Sequence, residues 1–403
     1  MYFATLAVII VLFLIAIIEA FTKKDFMHPL VMYSGPIFLQ YSIFFVFFSE
    51  DSSVSSATIV LYTLSIVCYA TGYLITETIV YRIVSKKEFR RLPLDTYNYP
   101  VYKFITIIGV ISILYEILRY GVGSEAANLY DAMAIHIDWG GGYNFLAKYI
   151  PFFYGVVFAF FVYNYDYDNK NRMERKRFVW AVIMAYAFAI ASFSRTSIMQ
   201  QTIVLVYIVM YRNRKKIFRN VGKIVGILNK AFIGIVILLI GFSIIAKLTS
   251  KFGSGSVFSK DFYLWSYLSA QIQTLDKYII AHPGASDFYY IGGVFSRLLG
   301  KSEAFRMYLP VLSEFNVFSY IGAIYLDCGS FAYVIQIVLG SFVAYLYCMN
   351  MKKGGYWTVY YAFYSFAIFM SFYAYQYSLT TYIYLLIAFF VIKVIHMMKG
   401  RSR

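Results

Sequence analysis

Charge is scarce in this sequence. Asp, Glu, Lys and Arg make up 14% of its 403 residues, whereas a soluble domain carries about 25%. Histidine occurs four times and cysteine three times. Cys68, Cys328 and Cys348 fall within or beside apolar runs, so no disulfide framework is expected in the connecting segments. There is no P-loop, no G-x-G-x-x-G placed after a strand, no H-E-x-x-H and no G-x-S-x-G. ATP-driven transport, nicotinamide chemistry and the common hydrolases therefore have no support, and no cofactor or metal is expected.

What is present is apolar: 61% hydrophobic residues, 21% aromatic and a mean hydropathy of +0.65. Apolar runs occur at about 2–21, 29–49, 58–81, 101–119, 146–165, 178–193, 197–211, 231–249, 330–349, 356–376 and 380–398. A bilayer core of about 30 Å is crossed by about 20 helical residues. The pattern predicts an all-α, polytopic integral membrane protein with about eleven transmembrane helices, forming one domain over 1–403. The first run has no basic segment before it and no small-residue cleavage site after it, so it reads as a retained helix.

A formal net charge of +16 could suggest nucleic acid as a partner, but the basic residues sit between apolar runs and make no aromatic-rich face. They sort by the bias that keeps Lys and Arg in cytoplasmic loops. Lys23 and Lys24, the stretch Arg82 to Lys103, Lys170 to Arg177, Arg212 to Lys230, Lys352 with Lys353, and the C-terminal cations mark the inner side. The N-terminus is then outside and the C-terminus cytoplasmic. Residues 250–316 form the largest extracytoplasmic loop. Arg119, Lys148, Arg195, Lys247, Lys251, Lys260, Lys277, Arg297, Lys301 and Arg306 oppose the bias, and most of them fall in or beside that loop.

Several of these outer residues suit anion chemistry. Arg195, in the sequence ASFSRTS, stands at a turn between two apolar runs. It either snorkels to lipid headgroups or grips a diphosphate with its planar fork, which lysine does less well. The outer loop also carries Tyr263, Trp265, Tyr267, Tyr289, Tyr290 and His282. These aromatics fit either an interface belt or a site for a lipid-linked sugar. His282, and less so His136, could take a proton from a hydroxyl. From Val317 to Tyr347 the chain is apolar with one charge, Asp327, and is too long for a single simple span. The expectation is a short outer, re-entrant helix over 317–329, broken near Gly329, with Asp327 facing a polar cavity or capping the next helix. Asp166, Tyr167 and Asp168 make a D-x-D pattern, but in a cytoplasmic loop too short for a nucleotide pocket.

SRTS at 194–197 between two helices, GG at 292–293 in a large outer loop, and NVFSYIGAIYLDCG at 316–329 leading into a late span together resemble the oligosaccharide repeat-unit polymerases. These are the O-antigen and capsule polymerases of the Wzy type. The likeness extends over most of the chain. Thr is commoner in that family where Ser319 stands, and Phe where Cys328 stands. The resemblance implies a bacterial cytoplasmic-membrane glycosyltransferase with its site facing outside. It would move a growing glycan from undecaprenyl diphosphate to a lipid-linked repeat unit. It also implies work alongside a flippase and a chain-length regulator, in contact with membrane lipid. Arg195 and Arg297 would bind diphosphate, with Arg306 as a helper. Asn316 and Asp327 would shape the pocket or contact the acceptor, and His282, Asp327 or an outer-loop carboxylate would serve as base. The alternatives are a flippase for the same lipid-linked sugars, or another lipid-donor glycosyltransferase or glycan ligase.

Overall fold

The computed structural model describes residues 1–48, 54–84, 145–166, 171–191, 195–219, 263–281 and 319–377, with scattered helical positions near 104–115, at 222 and 226, and over 382–390. Among these residues there is no strand. The helices are α1 (Tyr2–Lys23), α2 (Pro29–Phe48), α3 (Ser56–Ile83), α4 (Phe145–Asn164), α5 (Arg172–Ala191), α6 (Arg195–Ile217), α7 (Tyr263–Ala281), α8 (Tyr320–Cys328), α9 (Ala332–Lys353) and α10 (Tyr356–Phe369). Short 3-10 turns follow α8 and α10. Helices α1, α2, α3 and the stretch Tyr320–Lys353 are long and apolar enough to cross a membrane, and Gly155–Asn164 of α4 is a shorter apolar stretch. The apolar runs at 101–119, 231–249 and 380–398 lie wholly or largely outside the described residues.

By contacts the chain divides into two units: 1–87 with 210–353 and 364–380, and 88–209 with 354–363 and 381–403. In the first unit α1 and α2 form an antiparallel hairpin. Phe13 stacks on Phe38 with ring centroids 5.2 Å apart, and the Tyr41 hydroxyl donates to the Tyr2 carbonyl across the other end. The turn between them is built from its residues. Lys24 adopts the left-handed conformation, φ 56°, and the Asp25 amide returns to the Ala20 carbonyl at 2.9 Å, which closes the helix end. Pro29 then opens α2, where its missing N–H costs nothing.

Helices α3 and α9 run side by side in the same direction. A Cβ on Gly72 would overlap the Ile337 carbonyl, and one on Gly340 would overlap the Tyr69 carbonyl. Further along, Ser341 Oγ donates to Gly72 O and Cys348 Sγ to Glu77 O. Small residues allow such backbone approach where lipid offers no hydrophobic drive to pack helices. Helix α1 is parallel to α3 too, since Thr5 meets Thr63 at 2.8 Å and Lys23 meets Glu77 at 3.5 Å.

In the second unit, α4 packs on α5 through Phe161, Tyr165 and Phe178. Tyr186 of α5 and Thr202 of α6 share a hydrogen bond of 2.8 Å. The Tyr163 hydroxyl accepts the Gly355 amide at 2.8 Å.

Candidate functional site

The apolar stretch after 317 is broken in the structure. Helix α8 has nine residues and ends at Gly329, whose φ of 53° and ψ of −127° suit glycine alone. A 3-10 turn over Gly329–Phe331 leads into α9. At about 1.5 Å per residue α8 is about 13 Å long, and Ala332 to Gly340 covers about 12 Å of α9. Tyr320 and Gly340 both reach Tyr69. Helix α8 therefore rises away from the level of Tyr69, turns at Gly329 and returns as α9. The sequence expectation of a short helix broken near Gly329 matches this course, with the helix beginning at Tyr320.

The start of α8 is enclosed by tyrosines. Tyr33 of α2 stacks on Tyr69 of α3, with centroids 3.9 Å apart, and its hydroxyl bonds to that of Tyr320. Tyr377 packs on Tyr320 at 5.7 Å and its hydroxyl meets Ser371 Oγ at 2.5 Å. Ser319, just before α8, is 1% exposed, and its Oγ has no hydrogen-bond partner among the described residues. Asp327, near the other end of α8, is wholly buried. A carboxylate at that position is costly unless polar groups surround it.

Helix α7 lies inside the stretch read from sequence as a large outer loop. It is an ordered helix docked on its neighbours. Gln271, 1% exposed, accepts from Gln40 Nε2 at 3.1 Å. The same nitrogen donates to the Phe372 carbonyl at 2.8 Å, and Gln40 Oε1 accepts from the Tyr62 hydroxyl at 2.8 Å. One turn and a half further along, Asp276 Oδ1 accepts from the Ser55 amide at 3.0 Å, the Ser55 hydroxyl at 2.5 Å and the Thr58 hydroxyl at 2.6 Å. Ser55 is the N-cap of α3, so Asp276 sits where a helix favours an anion.

Sequence reasoning named none of Gln40, Gln271 or Asp276. The available signal was the polar set Gln271, Thr274 and Asp276 at helical spacing within 263–281.

At the opposite end of the first unit, Asp25, His28, Tyr73, Glu77 and Tyr347 form a buried polar group, also unforeseen. The Tyr347 hydroxyl donates to Asp25 Oδ2 at 3.1 Å, and the Met27 amide to Oδ1 at 3.0 Å. Burial raises the pKa of Asp25 against these bonds and against the nearby His28 and Arg214.

Of the residues proposed from sequence, Asp327 alone is described in full. Arg195, placed from sequence at the turn between two apolar runs, is the first residue of α6; its side chain lies outside the described set. His282, Arg297, Arg306, Asn316, His136 and Asp168 also lie outside the described residues. Asp166 is exposed in the segment after α4. Among the described residues the chain is thus helical, with a composition and helices of a membrane-embedded class. No family model, curated protein or solved structure matches it.

Proposed function

We propose that this protein is a polysaccharide repeat-unit polymerase of the bacterial cytoplasmic membrane, working on its outer face. The observation that carries the reading is the broken α8–α9 hairpin, which holds the wholly buried Asp327 beside its turn. Irregular backbone and a carboxylate at membrane depth persist where protein or water covers them and where a polar substrate is handled. Arg195, Arg297 and Arg306, which oppose the bias that keeps basic residues inside, supply the positive charge in this reading.

In this reaction an acceptor hydroxyl oxygen on one lipid-linked repeat attacks the anomeric carbon of the donor glycan. The bond from that carbon to the diphosphate oxygen breaks, and undecaprenyl diphosphate departs with the electron pair. The hydroxyl proton passes to a base, Asp327 or His282. Such a leaving group needs positive charge where negative charge develops more than it needs an acid, which is the role of Arg195 and Arg297. In the same reading Arg306 assists with the diphosphate and Asn316 contacts the acceptor.

The same broken hairpin favours a second reading, a flippase for lipid-linked oligosaccharides, because transporters build substrate sites from discontinuous helices. Purified chain in proteoliposomes, supplied with lipid-linked repeat units, separates the two. A polymerase makes a ladder of longer lipid-linked glycans; a flippase moves the substrate across the bilayer and leaves its length unchanged.

A further inference from the structure

The end of the first unit that carries Lys23, Lys24 and Arg82 holds polar groups that glycan transfer does not use. His28 is fully buried and Glu77 is 3% exposed. His28 Nε2 stands 3.5 Å from Glu77 Oε1, and neither Glu77 Oε1 nor His28 Nδ1 has a hydrogen-bond partner among the described residues. Glu19, on the last turns of α1, adds a second carboxylate on the more open side. One ligand atom from each of Glu19, His28 and Glu77 lies within 4.8 Å of the other two. The three residues come from α1, the α1–α2 turn and α3, so the cluster is a meeting point of all three elements.

We propose that Glu19, His28 and Glu77 bind a divalent transition-metal ion of the zinc class, which ties α1, the α1–α2 turn and α3 together. A tetrahedral ion with bonds of about 2.0–2.1 Å sets its ligand atoms about 3.4 Å apart. The His28 to Glu77 separation is already at that length, and Glu19 needs only a side-chain turn. Two carboxylates and a neutral imidazole carry the charge of a divalent ion in reverse, and a mixed nitrogen and oxygen donor set suits these metals.

Lys23 is the competitor. Its ammonium lies 3.5 Å from Glu77 Oε1, yet it also lies 4.2 Å from the centre of the Tyr81 ring, where it rests when the ion enters. The Tyr73 hydroxyl, 3.2 Å from His28 Nε2, is placed to turn toward a ligating carboxylate and steady it. Water completes the coordination from the Glu19 side. The ion is a structural brace, and the inference stands whether the chain polymerises glycans or moves them.

The test uses untagged, full-length protein in detergent, stripped with chelator, dialysed and titrated with Co²⁺. The expected result is visible ligand-field absorption that saturates at one ion per chain, is bleached by one equivalent of Zn²⁺, and comes with a higher melting temperature. Glu19→Gln, on the open side, should stay monodisperse and lower Co²⁺ affinity by about tenfold or more. His28→Gln should abolish the absorption. Lys23→Gln, which removes the competing ammonium, should raise affinity. Absent saturable absorption in the wild type, or affinity unchanged in Glu19→Gln, overturns the site. If His28→Gln does not fold, Glu19→Gln and Lys23→Gln decide it.

Discussion

Gly340 of α9 lies directly on the backbone of α3 at Tyr69, so near that a Cβ there would overlap the Tyr69 carbonyl oxygen. Backbone cannot swing aside as a flexible side chain can. Gly340→Ala and Gly72→Ala should each destabilise the first unit by about 1–3 kcal/mol, the usual cost of overfilling a packed contact. Gly226→Ala, with open space at its Cβ, should be neutral. Thermal melting of purified protein in detergent checks all three. Equal melting temperatures for Gly340→Ala and the wild type would mean that α3 and α9 do not pack this closely.

Asp276 gives a second stability test. Its Oδ1 takes three hydrogen bonds at the start of α3, and bonds to a charged acceptor contribute about 1.5–3 kcal/mol each. Asp276→Ala should cost more than 2 kcal/mol, since Ser55 and Thr58 lose an acceptor. Asp276→Asn, which keeps one acceptor oxygen, should cost less. Unfolding curves in a denaturing detergent read the difference, and an unaffected Asp276→Ala would show that α7 is not clasped to α3 this way.

These contacts show where the sequence was legible. The break at Gly329 could be read because a largely apolar stretch of 31 residues with one charge exceeds a single span. The helices of 20 or more residues followed from apolar runs. Helix α7 did not: Gln271 and Asp276 look like water-facing residues, and only the fold shows that Gln271 bonds to Gln40 and Asp276 to Ser55 and Thr58. His28 and Glu77 are 49 positions apart, and composition has no means of bringing them together. Lys23 and Lys24 mark a loop end by their charge, and nothing in the local pattern shows that Asp25 and His28 beside them are buried.

Orientation is open to direct labelling. Single cysteines replacing Ser53 and Ser286 in a cysteine-free background should react with an impermeant thiol reagent in intact spheroplasts. One replacing Asn171, next to the cations of α5, should stay unreactive. The reverse pattern would contradict the proposed orientation and, with it, the proposed outer-face site.

The arginines are tested by lysine. A snorkelling residue needs only charge, while a diphosphate clamp needs the guanidinium fork. Arg195→Lys and Arg297→Lys should each lower polymer yield about tenfold or more, since 1.4 kcal/mol of lost transition-state stabilisation is about a factor of ten. Membrane abundance should be unchanged, and cells should accumulate glycan one repeat unit long. Normal polymer from both variants would exclude the clamp.

Joining of lipid-linked repeat units, the proposed activity, is open to direct assay. Purified wild-type protein, reconstituted in lipid with undecaprenyl-diphosphate-linked repeat units and no nucleotide sugar, should produce a ladder of lipid-linked glycans rising by one repeat per step. Asp327→Asn, recovered at wild-type abundance, should leave the substrate at one repeat. A wild-type sample that folds, takes up the substrate and never lengthens it would contradict the account.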